Sequence, residues 1–368
     1  MSGRTVLASS RRLTNLPELR AVVSTSVKDS PFIRCLKKEP TDYTPVWLMR
    51  QAGRYQSEYR EIRKKVGFLE LCKTPSLAAE VTVMAVNQLN VDAGIIFADI
   101  LLPLENLGLG LRFAEGDGPV LDNPIKTVAD VNALPDFEPR EELSYVLEAI
   151  KTVCAEFDGR TPLIGFAGAP FTLASYAIEG GGSKNYVHTK TLMYKEPQVW
   201  DTLMRKLSDI TSRYLLAQVE AGASAVQIFD SWVGALSPFD YERFVLPYMK
   251  ELVGTLKGHA PVIYFGTMTN GLLSLMSQTD ADVLGVDWRI DLDYGWELIG
   301  EDKAIQGNLD PLVLFADKDE IERQVKEVLA KAAGRPGHVF NLGHGILPKT
   351  PVENVQYLVE LVHELTKK

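Results

Sequence analysis

Short apolar runs recur along the chain and alternate with longer segments whose apolar residues fall three and four positions apart. Eight of the short runs are continuous enough to be strands: 45–49, 94–98, 163–167, 225–229, 261–265, 283–286, 304–306 and 339–342. A strand that is apolar at nearly every position is buried on both faces, as in a parallel sheet covered by helices. Helical period is clearest over 77–90, 142–157, 199–220, 238–257, 319–333 and 352–366. Eight strand-helix units closing on one core predict an α/β fold: a single (β/α)8 barrel of the TIM type with an extra N-terminal segment.

Composition narrows the class without changing the fold. The chain has 368 residues, 46% hydrophobic and 24% charged, the make-up of a globular protein with a large core. Its net charge of −9 and lack of a basic stripe argue against nucleic-acid or membrane-surface binding. No stretch approaches the roughly 18 consecutive apolar residues of a membrane span. Cys35, Cys72 and Cys154 are odd in number and widely spaced, which reads as reduced thiols inside a cell. Residues 1–28 differ from the rest, since Arg4, Arg11, Arg12, Arg20 and Lys28 face a single acid, Glu18. They read as a poorly ordered basic, serine-rich extension, with an organelle transit peptide as the alternative. The barrel domain is expected over 29–368. The expected compartment is the cytoplasm, or a plastid if the extension is a transit peptide.

In a barrel of this type the residues just past each strand gather at one mouth, where the chemistry sits. In chain order these are Arg50 and Arg54; Asp99; Gly168-Ala169-Pro170; Asp230 and Ser231; Gly266; Asp287 and Trp288; Gly307-Asn308; and Gly343-His344-Gly345. No lysine stands at a strand end, which argues against Schiff-base and pyridoxal chemistry. The spacings of a zinc site are also absent, and all three cysteines precede the third strand. Two arginines on one turn of an acidic chain suggest local capture of carboxylates, because a guanidinium presents a planar two-point fork.

Four segments carry a resemblance: 45–55 (PVWLMRQAGRY), 96–101 (IFADIL), 165–173 (GFAGAPFTL) and 341–346 (NLGHGI). Together they resemble the uroporphyrinogen decarboxylase family over nearly everything from Asp29 onward. The arginine and NLGHG motifs, about 290 residues apart, are specific as a pair. One departure stands beside the first motif, where Gln56-Ser57 replaces a Leu-Pro or Met-Pro pair and leaves the local loop shape open. The resemblance implies a decarboxylase without cofactor or metal, a homodimer with facing clefts. It converts the four acetate arms of uroporphyrinogen III to methyl groups, giving coproporphyrinogen III for heme and chlorophyll synthesis.

The residues are compatible with that chemistry. An alkyl carboxylate loses carbon dioxide only if the electrons left behind have a sink, and a pyrrole protonated on a ring carbon supplies one. Asp99, central in the mouth, suits an anion that stabilises the cationic ring through its N–H groups; its other reading is a helix N-cap. The resemblance marks Arg50, Arg54 and Arg63 as carboxylate partners and brings in Gln51, Ala52 and Gly53 with their motif. Arg60 reads equally as a ligand or as part of a solvated helix face. The proton donor stays open between an arginine and a water beside it. By the family pattern Tyr176 pairs with Asp99, while His344 and Ser231 contact substrate. Spacing alone puts Tyr176 in the core and allows Ser231 as a cap and His344 as a structural histidine. Phe97 and Phe166 would wall the macrocycle. Segment 179–184 (EGGGSK) lacks the spacing of a phosphate loop and reads as a mobile rim loop. Two rivals are a zinc-dependent methyl-transfer enzyme on a related barrel and a non-catalytic polycarboxylate carrier. The missing His/Cys set counts against the first, and Asp99 against the second.

Overall fold

The computed structural model of the protein describes residues 26–114 and 118–368, so most of the basic extension lies outside the described residues. Among the described residues there are nine strands: β1 (Gly94–Ile95), β2 (Leu111–Ala114), β3 (Gly118–Leu121), β4 (Leu163–Gly168), β5 (Ala225–Asp230), β6 (Val262–Gly266), β7 (Val283–Gly285), β8 (Ala304–Leu309) and β9 (His338–Leu342). Seven of them form one parallel sheet in the order β1-β4-β5-β6-β7-β8-β9. The eighth stave is the run 45–49. Val46 bridges Phe340 in parallel, Phe340 N donates to Pro45 O at 2.9 Å, and Asp92 N donates to Val46 O at 2.8 Å. The stave thus spans the gap between β9 and β1 and closes the expected barrel. It pairs sparsely because Pro45 has no N–H to give and the chain turns away at Arg50.

Other departures are local. Run 94–98 is a strand only over its first two residues, since Phe97 N donates to Thr82 Oγ1 at 3.0 Å rather than to a neighbouring strand. Helical segment 238–257 divides into Pro238–Phe244 and Leu246–Leu256, because Pro247 cannot supply the N–H that would continue the ladder. The antiparallel hairpin of β2 and β3, absent from the sequence reading, is inserted after β1.

Alternate residues of each stave face the barrel interior. Trp47, Ala93, Ile164, Ala225, Ile263, Phe265, Val283, Ala304 and Val339 form one buried cluster there, together with Phe32, Ile33, Cys35 and Leu36 of helix Pro31–Leu36. That helix starts at a Ser30 cap followed by proline and plugs the end where the strands begin. Cys35 Sγ donates to the carbonyl of His338, the first residue of β9, at 3.1 Å. With that end filled, the opposite end forms the mouth. A polar layer crosses the interior, where Trp47 Nε1 donates to Gln306 Oε1 (2.9 Å) and Gln306 Nε2 to Gln227 Oε1 (3.1 Å).

The loops at the mouth are tied one to the next. Thr267 Oγ1 donates to Ser231 O (2.5 Å), Met268 N to Asp287 Oδ2 (2.7 Å) and Asn308 Nδ2 to Asp287 O (3.0 Å). Gly343 N then donates to Leu309 O (2.7 Å) and Ile346 N to Met49 O (2.9 Å). Side chains carried on these loops are therefore held in fixed relation across the barrel.

Asp92 locks the closing seam. Its carboxylate accepts Val46 N (2.7 Å), Tyr43 OH (2.8 Å) and His363 Nε2 (2.7 Å). Replacing Asp92 by alanine is expected to cost about 3 kcal/mol, because three donors lose their acceptor. Denaturant unfolding of the variant checks this, and an unchanged midpoint would show that the seam closes without it.

Candidate active site

Arg50 leaves the first stave with a left-handed φ of 60°, which turns the chain sharply at the mouth. Two buried glutamines hold that turn. Gln51 accepts Leu48 N (3.1 Å) and donates to Ala93 O (3.1 Å), while Gln56 accepts Gly53 N (2.9 Å) and donates to Gln88 Oε1 (2.9 Å). Gln56, the residue that departs from the family pattern, therefore braces the loop. The side chain of Gln51 is engaged inside the fold, and its carbonyl accepts Tyr55 OH at 2.6 Å. Gln51 holds the arginine turn from within, flanked by half-buried Ala52 and Gly53. Arg60 also serves the loop: its Nη1 donates to the carbonyls of Arg54 (3.0 Å) and Tyr55 (2.8 Å), so it is a brace and not simply a solvated helix face.

The Arg50 side chain lies across Gly345, in the loop after β9. A Cβ on Gly345 would stand 2.6 Å from Arg50 Cγ and 3.0 Å from Nε, so only glycine leaves room for this path. The two sequence motifs thus meet in space.

Asp99 lies just past β1, at the mouth end of that stave. Its Oδ1 accepts Leu101 N at 2.8 Å, a local turn, and among the described residues Oδ2 has no partner. Asp99 is half-buried, yet the surrounding atoms exclude enough water that burial pushes its carboxyl up to about 6. The Leu101 N–H and the Arg50 charge pull in the other direction. Tyr176, on helix Pro170–Glu179 after β4, is held as a phenol by burial first and by the Asp99 charge second. Burial also pushes His344 toward neutrality, reinforced by Arg50. Asp99 and Tyr176 therefore lie within reach of each other's charge and of Arg50, while His344 lies within reach of Arg50.

Arg54 and Arg63 stand farther out. Arg54 is exposed and registers on Tyr59, not on Asp99. Arg63 is half-buried, donates to Val66 O at 2.5 Å and lies 5.7 Å over the Phe68 ring. Phe97 fills the space between, 5.7 Å from Tyr59 and 6.0 Å from Phe68. Phe166 of β4 meets Phe229 of β5 edge-on at 5.5 Å, giving an aromatic wall across these two strands. Ser231 is half-buried at the end of β5, with its carbonyl tied to Thr267. The rim loop 179–184 is anchored at its start, where Glu179 Oε1 accepts Thr189 N and Oγ1, both at 2.9 Å.

Trp232 has no counterpart in the sequence reading, although it directly follows Asp230-Ser231. Its ring stacks on Tyr176 at 3.7 Å and 27°. Behind it, buried Asp230 accepts Thr172 Oγ1 (2.7 Å) and Tyr264 OH (2.8 Å), and Trp232 N donates to Thr172 Oγ1 at 3.3 Å. Two hollows of about 420 and about 250 Å³ lie elsewhere, beside Asn123 and at the closed end beside His338. The site is defined by charge and register at the mouth instead.

A family model described as uroporphyrinogen decarboxylase (URO-D) matches residues 27–365. The chain belongs to that family. It is 57% identical to the uroporphyrinogen decarboxylase of Carboxydothermus hydrogenoformans, over 91% of this chain and 96% of that one. It is 54% identical to that of Roseiflexus sp., over 91% and 98%. Among solved structures a methyltransferase from Methanosarcina mazei superposes with a TM-score of 0.77, covering 92% of this chain and 99% of that one. At 23% identity this likeness concerns the barrel alone.

The Arg50–Asp99 pairing can be read directly by carbon NMR of the Asp99 carboxyl. Its midpoint is expected near 6 in the intact protein. Because Arg50 favours the charged form, Arg50→Gln should move the midpoint upward. A downward or absent shift would separate the two groups.

Proposed function

We propose that the chain removes carbon dioxide from the four acetate arms of uroporphyrinogen III, leaving methyl groups and releasing coproporphyrinogen III in tetrapyrrole synthesis. Family membership supports the reaction class, and Asp99 is the observation that carries it for this chain: a half-buried carboxylate with one free oxygen at the barrel mouth, within reach of the Arg50 charge.

Each turnover begins with a proton added to a pyrrole ring carbon, which makes the ring cationic. The bond to the departing carboxylate then breaks, its electron pair neutralises the ring, and carbon dioxide leaves. A second proton on the exocyclic carbon makes the methyl group, and loss of the ring proton restores the pyrrole. Asp99 accepts pyrrole N–H groups and gains interaction energy as ring charge develops, which is the requirement for lowering the barrier. At an effective dielectric near 20, opposite charges ~4 Å apart attract by about 4 kcal/mol before desolvation. Arg50, Arg54 and Arg63 hold carboxylate arms, and the Gln51, Ala52 and Gly53 turn sets their direction. Tyr176 hydrogen-bonds beside Asp99, Ser231 and His344 contact arms, and Phe97 and Phe166 line the macrocycle.

The reaction as written calls for no cofactor, since the pyrrole itself is the electron sink. Among the described residues no three His, Cys, Asp or Glu side chains gather as a metal-binding set. No helix there is long and apolar enough to cross a membrane. A homodimer with facing mouths is supported by exposed apolar residues on the rim: Met268 after β6, Tyr294 after β7 and Leu312 after β8. Three unpaired cysteines favour the cytoplasm as the working compartment. A plastid is the counterpart if the basic extension directs import.

Asp99→Asn should lower kcat on freshly reduced uroporphyrinogen by roughly 10²–10³-fold. Its melting midpoint near neutral pH should match or exceed wild type, because a charge that burial disfavours has been removed. In the wild type, kcat/KM should fall as pH drops through about 6, where Asp99 of the free protein takes up a proton and the anion is lost. Full turnover of Asp99→Asn removes Asp99 from the mechanism. Inhibition by EDTA that one metal reverses contradicts the cofactor-free reaction, and the oxidised porphyrin serves as an inert control.

A further inference from the structure

Arg289 lies on the rim on the other side of the His344 loop from the arginine turn, with β8 and β9 between the two. It follows β7 in the segment Asp287-Trp288-Arg289, and this segment adjoins the His344 loop: a Cβ on Gly343 would stand 2.5 Å from Trp288 N. Both Arg289 and Asp287 act on the charge of His344, as Arg50 does from the other side. Arg289 is also unusually well held for an exposed arginine. Its guanidinium lies 4.0 Å over the Trp288 ring, Nη1 donates to Asp287 Oδ2 at 2.6 Å, and its backbone N donates to Asp287 Oδ1 at 3.0 Å. Asp287 is itself buried and fixed by Met268 N. The arginine side chain nevertheless remains 42% exposed, and among the described residues Nε and Nη2 have no hydrogen-bond acceptor.

On the neighbouring stretches of rim, Lys190 reaches the connection after β5, where its Nζ is engaged by the Ala235 carbonyl at 2.6 Å. The connections after β5, β6 and β8, residues 231–237, 267–272 and 310–317, contain no lysine or arginine. A macrocycle bearing carboxylate arms all round needs counter-charge on more than one side, and the motif arginines stand beyond the His344 loop.

We infer that Arg289 is a further carboxylate-binding residue, which takes an arm of the macrocycle on the other side of the His344 loop from Arg50. Asp287 and Trp288 fix the plane of the guanidinium so that its two free donors face the arm, a pre-ordered fork that loses little freedom on binding. This rests on the decarboxylase reading above.

The test is steady-state kinetics of Arg289→Gln and Arg289→Lys with reduced uroporphyrinogen at several salt concentrations. Arg289→Gln is expected to raise KM roughly tenfold, the scale of one charge-assisted hydrogen bond, with kcat within about twofold. Arg289→Lys keeps the charge and should fall between, since an ammonium lacks the fork. The dependence of KM on salt should be weaker in Arg289→Gln, because one attraction that salt screens is gone. Wild-type KM and salt dependence in both variants overturn the inference. So does a fall in kcat that tracks a lower melting midpoint with KM unmoved, which assigns Arg289 to holding Asp287 alone. If wild-type protein does not consume uroporphyrinogen, the decarboxylase reading fails instead.

Discussion

Asp99, a carboxylate held where its surroundings resist its charge, is the constraint around which this mouth is built. Burial pushes Asp99 up to about 6, and Arg50 with the Leu101 N–H restores part of the lost stabilisation. In water such a group would be solvated and indifferent to a pyrrole. Packed about and left with one free oxygen, it is under-satisfied until a cationic partner arrives. In the proposed reaction that partner is created by the chemistry itself, so the attraction grows between bound substrate and transition state.

Such an arrangement persists only if its parts cannot relax. The barrel end opposite the mouth is plugged by Phe32, Ile33 and Leu36, and the mouth loops are bonded each to the next from Ser231 round to Met49. Arg50 is confined from two directions, by its own left-handed backbone and by Gly345 beneath its side chain. Asp230, through Thr172, carries Trp232, and Trp232 carries the Tyr176 ring. Pre-ordering of this kind lets fixed groups act without reorganising as charge develops.

Much of this was legible along the chain. The continuous apolar runs gave the staves, and the residue after each run gave Arg50, Asp99, Ser231 and His344 their common address. The first stave was visible as apolar character although it forms little ladder, because burial leaves a stronger trace than pairing does. The β2–β3 hairpin was missed because its strands are short and its faces only partly buried. Trp232 and Arg289 were overlooked for another reason: a side chain that matters through stacking or a cross-loop bond has no period or spacing to betray it. Gln51 sits in the arginine motif, yet the reason it faces inward, a bond to Ala93 O, joins residues 42 positions apart. Tyr176 shows the opposite case, where spacing pointed to the core and only the family pattern brought it beside Asp99.

The most direct measurement is a crystal structure of the protein with coproporphyrinogen bound under reducing conditions. The account predicts pyrrole N–H groups within about 3 Å of the free Asp99 oxygen, with acid arms on the arginines of the rim. A macrocycle bound elsewhere, or bound in the mouth with its nitrogens turned away from Asp99, would contradict it.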